Sequence, residues 1–154
     1  MSAAGHHHAL VSRVIPGTPE EVFGAWEDPG RLRDWLAGEG EVSVDFRPGG
    51  AFRIVMVMSG QRLLYGGTYR RIEPPRLLAF TWRVGEEDVE SIVRVELEAA
   101  GERRTRMTIV HGDLATARLA SDYELAWNGF INILEHQIEA MIGLEPPAGG
   151  STRA

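Results

Sequence analysis

Apolar residues recur at every second position through residues 41–112, and at every third or fourth position through residues 121–143. This change of period constrains the fold more than any other feature of the chain. Period two puts successive side chains on opposite faces of a strand, whereas a period of 3.6 collects them along one side of a helix. The first region divides at turn residues into six strands. Val42, Val44 and Phe46 alternate up to "RPGG"; Phe52, Ile54, Met56 and Met58 alternate up to "SG". Residues 63–72 form the next run, which "EPP" ends because proline cannot donate to a ladder. Residues 77–84 close at "GEED", and 89–98 and 103–111 make a final hairpin around "AAGE". On that hairpin Val93, Val95 and Leu97 face one way and Arg94, Glu96 and Glu98 the other, with Arg104 and Arg106 placed to sit opposite the acids.

The helical stripe is Trp127, Ile131, Leu134, Ile138 and Met141. A capping box of Ser121 and Glu124 opens it, Gly143 marks its end, and short helical turns are expected over 114–120. Before the meander, residues 9–16 read as a first strand. In "TPEEVFGAW", Thr18 and Glu21 form a capping box around Pro19, and Val22, Phe23 and Trp26 are the apolar face. In "DPGRLRDWL", Asp28 caps a second short helix whose Leu32, Trp35 and Leu36 face inward. Strand, two short helices, a meander and one long helix predict an α+β fold, with an antiparallel sheet of about seven strands carrying its helices on one face. The pair Gly49–Gly50 invites comparison with a phosphate-binding loop, but such a loop leads directly into a helix. Here eight positions of period two follow, so "RPGG" is a hairpin whose glycines supply positive φ.

The 154 residues suit one domain, placed over 9–143, with a flexible leader at 1–8 and a disordered tail at 144–154. The tract His6–His8 could bind a transition metal, and a plain tail or tag remnant is the preferred reading. Absence of cysteine removes disulfides, thiol nucleophiles and thiolate metal sites, and fits a reducing cytoplasm. A formal net charge of −6 disfavours nucleic acid. No apolar run reaches the ~20 residues of a membrane span, and the N-terminus lacks the pattern of a secretion signal.

The stretches "PGTPEEVFGAWEDPGRLRDWL", "DFRPGGAFRI", "GGTYRRIEPPRLLAFTWR", "SIVRVELEA", "TRMTIVHGD" and "AWNGFINILEHQI" together span nearly all of residues 11–141. Their order resembles the SRPBCC or START-like superfamily, and within it the family named for activators of the ninety-kilodalton heat-shock chaperone's ATPase. One departure is Leu36, where many relatives carry a second aromatic residue. The resemblance implies a helix-grip fold, in which a curved antiparallel sheet wraps a long C-terminal helix over a cavity. It also implies binding of lipids, polyketides or other apolar molecules, sometimes with catalysis. The family name is not read as a function, because co-chaperone activity in the eukaryotic namesake involves a further N-terminal domain.

Such a cavity would be lined from inward strand positions and from the helix stripe. Trp35, Phe52, Ile54 and Met56 are candidates, as are Tyr65 and Trp82. Val93, Met107 and Ile109 follow on the last hairpin, and Trp127 and Ile131 on the long helix. For any one of them plain core is the preferred reading, and only together do they favour a shared concavity. His111 ends the last strand in "HGD", on the face of Met107 and Ile109 and two residues before Asp113. It could serve as a general base or ligand donor, but a strand-end histidine bonding the loop, with Asp113 as a cap, is preferred. Glu135 and His136 are helix neighbours about 100° apart and do not face one another. No metal-ligand spacing, cofactor motif or nucleophile elbow is present. Arg53 and Arg83 could meet a ligand carboxylate or simply face solvent. Three functions are compatible with these residues: a binding module for a small apolar or amphipathic molecule, a cyclase or hydrolase in the same cavity, and a protein-interaction module. A homodimer is compatible with all three.

Overall fold

The computed structural model of the chain describes residues 6–85 and 89–144. Strand β1 (His7–Pro16) leads into α1 (Pro19–Glu27) and α2 (Pro29–Leu36). Six strands follow: β2 (Glu41–Val44), β3 (Ala51–Met58), β4 (Gln61–Glu73), β5 (Leu77–Val84), β6 (Ser91–Ala99) and β7 (Arg104–Leu114). Helix α3 (Ala117–Leu144) completes the described chain. The strands make one sheet in the order β1-β7-β6-β5-β4-β3-β2, antiparallel throughout. This is the helix-grip arrangement, with the two short helices after the first strand and the long helix at the end.

Local chemistry explains where the short helices start. The Thr18 hydroxyl accepts from the Glu21 amide at 3.1 Å, and the Glu21 carboxylate accepts from the Thr18 amide at 2.8 Å. Two amides that α1 leaves orphaned are thereby satisfied. Asp28 both ends α1 and caps α2, accepting from the Gly30 amide at 3.0 Å.

The structure departs from the sequence reading at several boundaries. β1 begins at His7, which pairs with Leu114 across a bulge, so the strand takes in residues assigned above to the leader. Helix α3 begins at Ala117, four residues before Ser121. Its cap is Thr116, whose hydroxyl accepts from the Leu119 amide at 3.0 Å. Gly49 has φ +86°, as the hairpin requires, but Gly50 is needed for another reason. A Cβ there would lie 2.0 Å from the Asp45 carbonyl oxygen. The α3 stripe is buried at Trp127, Ile131, Leu134 and Ile138, whereas Met141 is 39% exposed. The expected tail, from residue 145 onward, and residues 1–5 of the leader lie outside the described residues.

Both short helices and α3 bury their apolar faces against the inner side of the sheet. Trp26 meets Trp35 edge-on at 4.8 Å and lies 6.0 Å from Trp127, joining all three helices. The Trp35 indole N–H donates to the Ala25 carbonyl at 3.0 Å. Each large side chain buried in this way contributes about 1.5–3 kcal/mol. Arg13 on β1 ties the sheet edge to α3, donating to the Asn132 side chain at 2.6 Å, to that of Asn128 at 2.8 Å and to Glu135 at 3.2 Å.

Candidate ligand-binding site

The interior is solid at one end and open at the other. Beneath α1 and α2 the free space amounts to ≈ 10 Å³, bordered by Trp26, Leu36, Phe52, Tyr69 and Phe80 among others. That is about the least volume that admits a single water. Trp26 lines this void, and its indole nitrogen is buried. It is the buried side-chain polar atom without a partner among the described residues.

At the other end a chamber of ≈ 400 Å³ opens between the sheet and the first half of α3. This lies within the roughly 300–1,000 Å³ range of small-molecule sites. Its sheet wall is Tyr65, Trp82 and Val84, with Ser91 at the start of β6 and Val89 just before it. Tyr65 and Val84 are cross-strand neighbours, so both project from the same face. Its helix wall is Leu119, Asp122, Tyr123 and Ala126, whose three- and four-residue spacings put them on one side of α3. The end of β7, with Asp113 at φ +60° and Leu114 buried, and Ala115 beyond it complete the lining. Burial pushes the Tyr65 hydroxyl above its ordinary pKa, which keeps it neutral and able to donate.

A chain of hydrogen bonds forms the boundary between the two ends. The Trp127 indole N–H donates to His111 Nδ1 at 3.1 Å. Indole has no acceptor, so Nδ1 is bare and the ring proton sits on Nε2. Nε2–H then donates to the Ser91 hydroxyl at 2.7 Å, and Ser91 in turn donates to the Trp82 carbonyl at 3.3 Å. The Trp82 indole N–H donates to the Tyr123 hydroxyl at 3.2 Å. Burial pushes the His111 pKa down to about 4. An imidazolium would also set two N–H donors against each other at Nδ1. The Ser91–His111 pair therefore lacks the polarity of a nucleophile and its base, which needs Nε2 bare to receive the hydroxyl proton.

Of the residues singled out above, Tyr65 and Trp82 border the chamber, and Asp113 stands exposed at its rim. Phe52 and Ile54 border the small void. Trp35, Met56, Val93, Met107, Ile109, Trp127 and Ile131 are buried, and none of them borders the chamber. His111 is buried and bonds the side chains of Ser91 and Trp127, not the loop backbone as expected. Arg53 and Arg83 flank Gly66 across three strands and border a separate groove; Arg83 pairs with Glu90 at 2.9 Å. The His136 ring bonds the Asn132 carbonyl at 2.8 Å within the helix. No group of side chains suited to a metal occurs among the described residues. Ser91, Tyr123, Leu119, Asp122 and Ala126 escaped the sequence reading. Ser91 left a signal, being a polar residue at the inward phase of Val93, Val95 and Leu97. Tyr123 left another, one turn before Trp127 on the same stripe.

The profile of the family described as "Activator of Hsp90 ATPase homolog 1-like protein" matches residues 16–152. Among solved structures, protein CV1439 from Chromobacterium violaceum is 27% identical, with 86% of this chain and 97% of that one covered and a TM-score of 0.74. CalU16 from Micromonospora echinospora is 22% identical over 92% of this chain and 82% of that one, with a TM-score of 0.71. Protein MLL2253 from Mesorhizobium loti is 21% identical over 87% and 98%, with a TM-score of 0.73. The last two likenesses concern the fold alone. No curated protein matches the chain.

Proposed function

Because the chain belongs to the Activator of Hsp90 ATPase homolog 1-like family of the SRPBCC superfamily, we propose that it holds a small apolar or amphipathic molecule between its sheet and its C-terminal helix. One observation carries this reading: a chamber of ≈ 400 Å³ with aromatic and aliphatic walls and few polar groups, beside an interior that is otherwise filled. Apolar burial supplies the affinity, and the hydroxyls of Tyr65 and Ser91 orient the occupant. The cytoplasm is the compartment proposed, on the absence of cysteine. Among the described residues no helix is long and apolar enough to cross a membrane.

A protein-docking function has weaker support. The exposed apolar residues Leu125, at 75%, Ile133 and Met141 are spaced by eight along α3. Each step of eight turns the helix by about 80°, so they do not merge into one stripe. The test of the binding reading pairs native mass spectrometry of the purified protein with a thermal-shift screen of alkyl alcohols and aromatic polyketides. Bound mass or stabilisation that disappears in Ala126→Trp, which fills the chamber, is expected. Absence of both in the unaltered protein sinks the proposal.

A further inference from the structure

We infer that the chamber selects amphipathic cations, an apolar body bearing an ammonium or similar positive group; this rests on the chamber being a ligand site. Two features of its walls agree. The first is an aromatic corner. The rings of Tyr65 and Trp82 lie 4.9 Å apart, and the Trp82 indole is bonded to Tyr123. Aromatic faces carry negative charge density and attract cations that come to rest over them. The second is the sign of the charged residues. Among the described residues, the ionisable carboxyl side chains at the chamber are Asp113 and Asp122, and no described arginine or histidine borders it. Neither aspartate joins an ion pair among the described residues. The arginines nearest in the sheet, Arg53 and Arg83, border the separate groove instead.

An alkyl chain entering this space would leave its head group beside two carboxylates and over aromatic rings. A positive head gains from both, and a carboxylate head is repelled by the first and gains nothing from the second. The mouth is open to solvent, so the preference is moderate and falls with salt.

The test uses calorimetric titration at pH 7.5 and low salt with three probes of one chain length: dodecyltrimethylammonium, dodecanol and dodecanoate, each below its micelle concentration. The ammonium is expected to bind roughly tenfold tighter than the alcohol, with dodecanoate the weakest. The double variant Asp113→Asn with Asp122→Asn should remove most of the ammonium's advantage over the alcohol. Asparagine tolerates the positive φ at 113, so the chain conformation there is kept. Tyr65→Leu, which keeps the wall apolar but removes a ring, should reduce the same advantage by a few-fold. Dodecanoate binding as tightly as the ammonium, or a preference that survives the double asparagine variant, overturns the inference. Equal binding of all three probes overturns it while leaving the chamber as a ligand site. Binding of none overturns both.

Discussion

Helix α3 passes over two unlike halves of the same interior. From Trp127 onward it sits on a filled core, with Ile131, Leu134 and Ile138 buried and Arg13 gripping Asn128, Asn132 and Glu135 from the sheet edge. Before Trp127 it overhangs space, and Leu119 on the helix and Val89 opposite remain 37% and 47% exposed. An unfilled void forfeits the dispersion contacts of its lining. The open half is thus a cost that the filled half offsets, and a chain shaped for stability alone would have closed it. The difference teaches that fold strength and ligand capacity are separated along one helix, with the Trp127–His111 bond as the seam.

This division can be broken by mutation. Trp127→Ala removes a ring at the seam, leaves His111 Nδ1 without its donor, and should cost about 3–5 kcal/mol in urea unfolding. A loss below 1 kcal/mol would mean that the seam does not hold the halves together. The pH dependence of stability comes next. His111 is neutral in the fold, with a pKa near 4 against 6.5 unfolded. The unfolded chain therefore takes up the proton first as pH falls. The stability this residue contributes is complete above pH 6.5 and drains away towards pH 4, by at most about 3 kcal/mol. Unfolding free energies between pH 7.5 and 4.5 should slope accordingly, and His111→Phe should flatten the slope. Arg13→Ala unpins the filled half and should cost about 1–2 kcal/mol, read from the denaturation midpoint. The smallest effect is expected of Leu119→Ala. It stands in the open half and should shift stability by no more than about 0.5 kcal/mol. If Leu119→Ala proves as costly as Arg13→Ala, the two halves are not distinct.

The filled half was largely legible from pattern. β5 runs over Leu77–Val84 as read, because a proline pair and Gly85 bound a run rich in apolar and aromatic residues. The capping box at Thr18 and Glu21 formed as the spacing required. The start of α3 was not legible. Ser121–Glu124 and Thr116 are rival caps, and the run Ala117–Ala120 offers no residue that opposes helix, so the helix extends back to the earlier one. The chamber was legible only in outline. Period tells which side of a strand faces inward, but a cavity depends on how far a helix stands from the sheet, and residues at equal phase can be packed or open. Hence Met107 and Tyr65 looked alike, although one is fully buried and the other walls the chamber. Ser91 and Tyr123 acquire their meaning only through His111 and Trp82, partners remote in sequence.

The seating of β1 has a consequence for how the molecule comes into being. Its partner is β7, so Pro16 must wait for Arg104, and His7 for Leu114. During synthesis the first strand emerges with its ladder unmet, while the hairpins from β2 to β6 can zip locally as they appear. Sheet closure is then a late event of high contact order, and such closures slow folding. A ribosome-stalled chain ending before Arg104 should leave β1 open to protease.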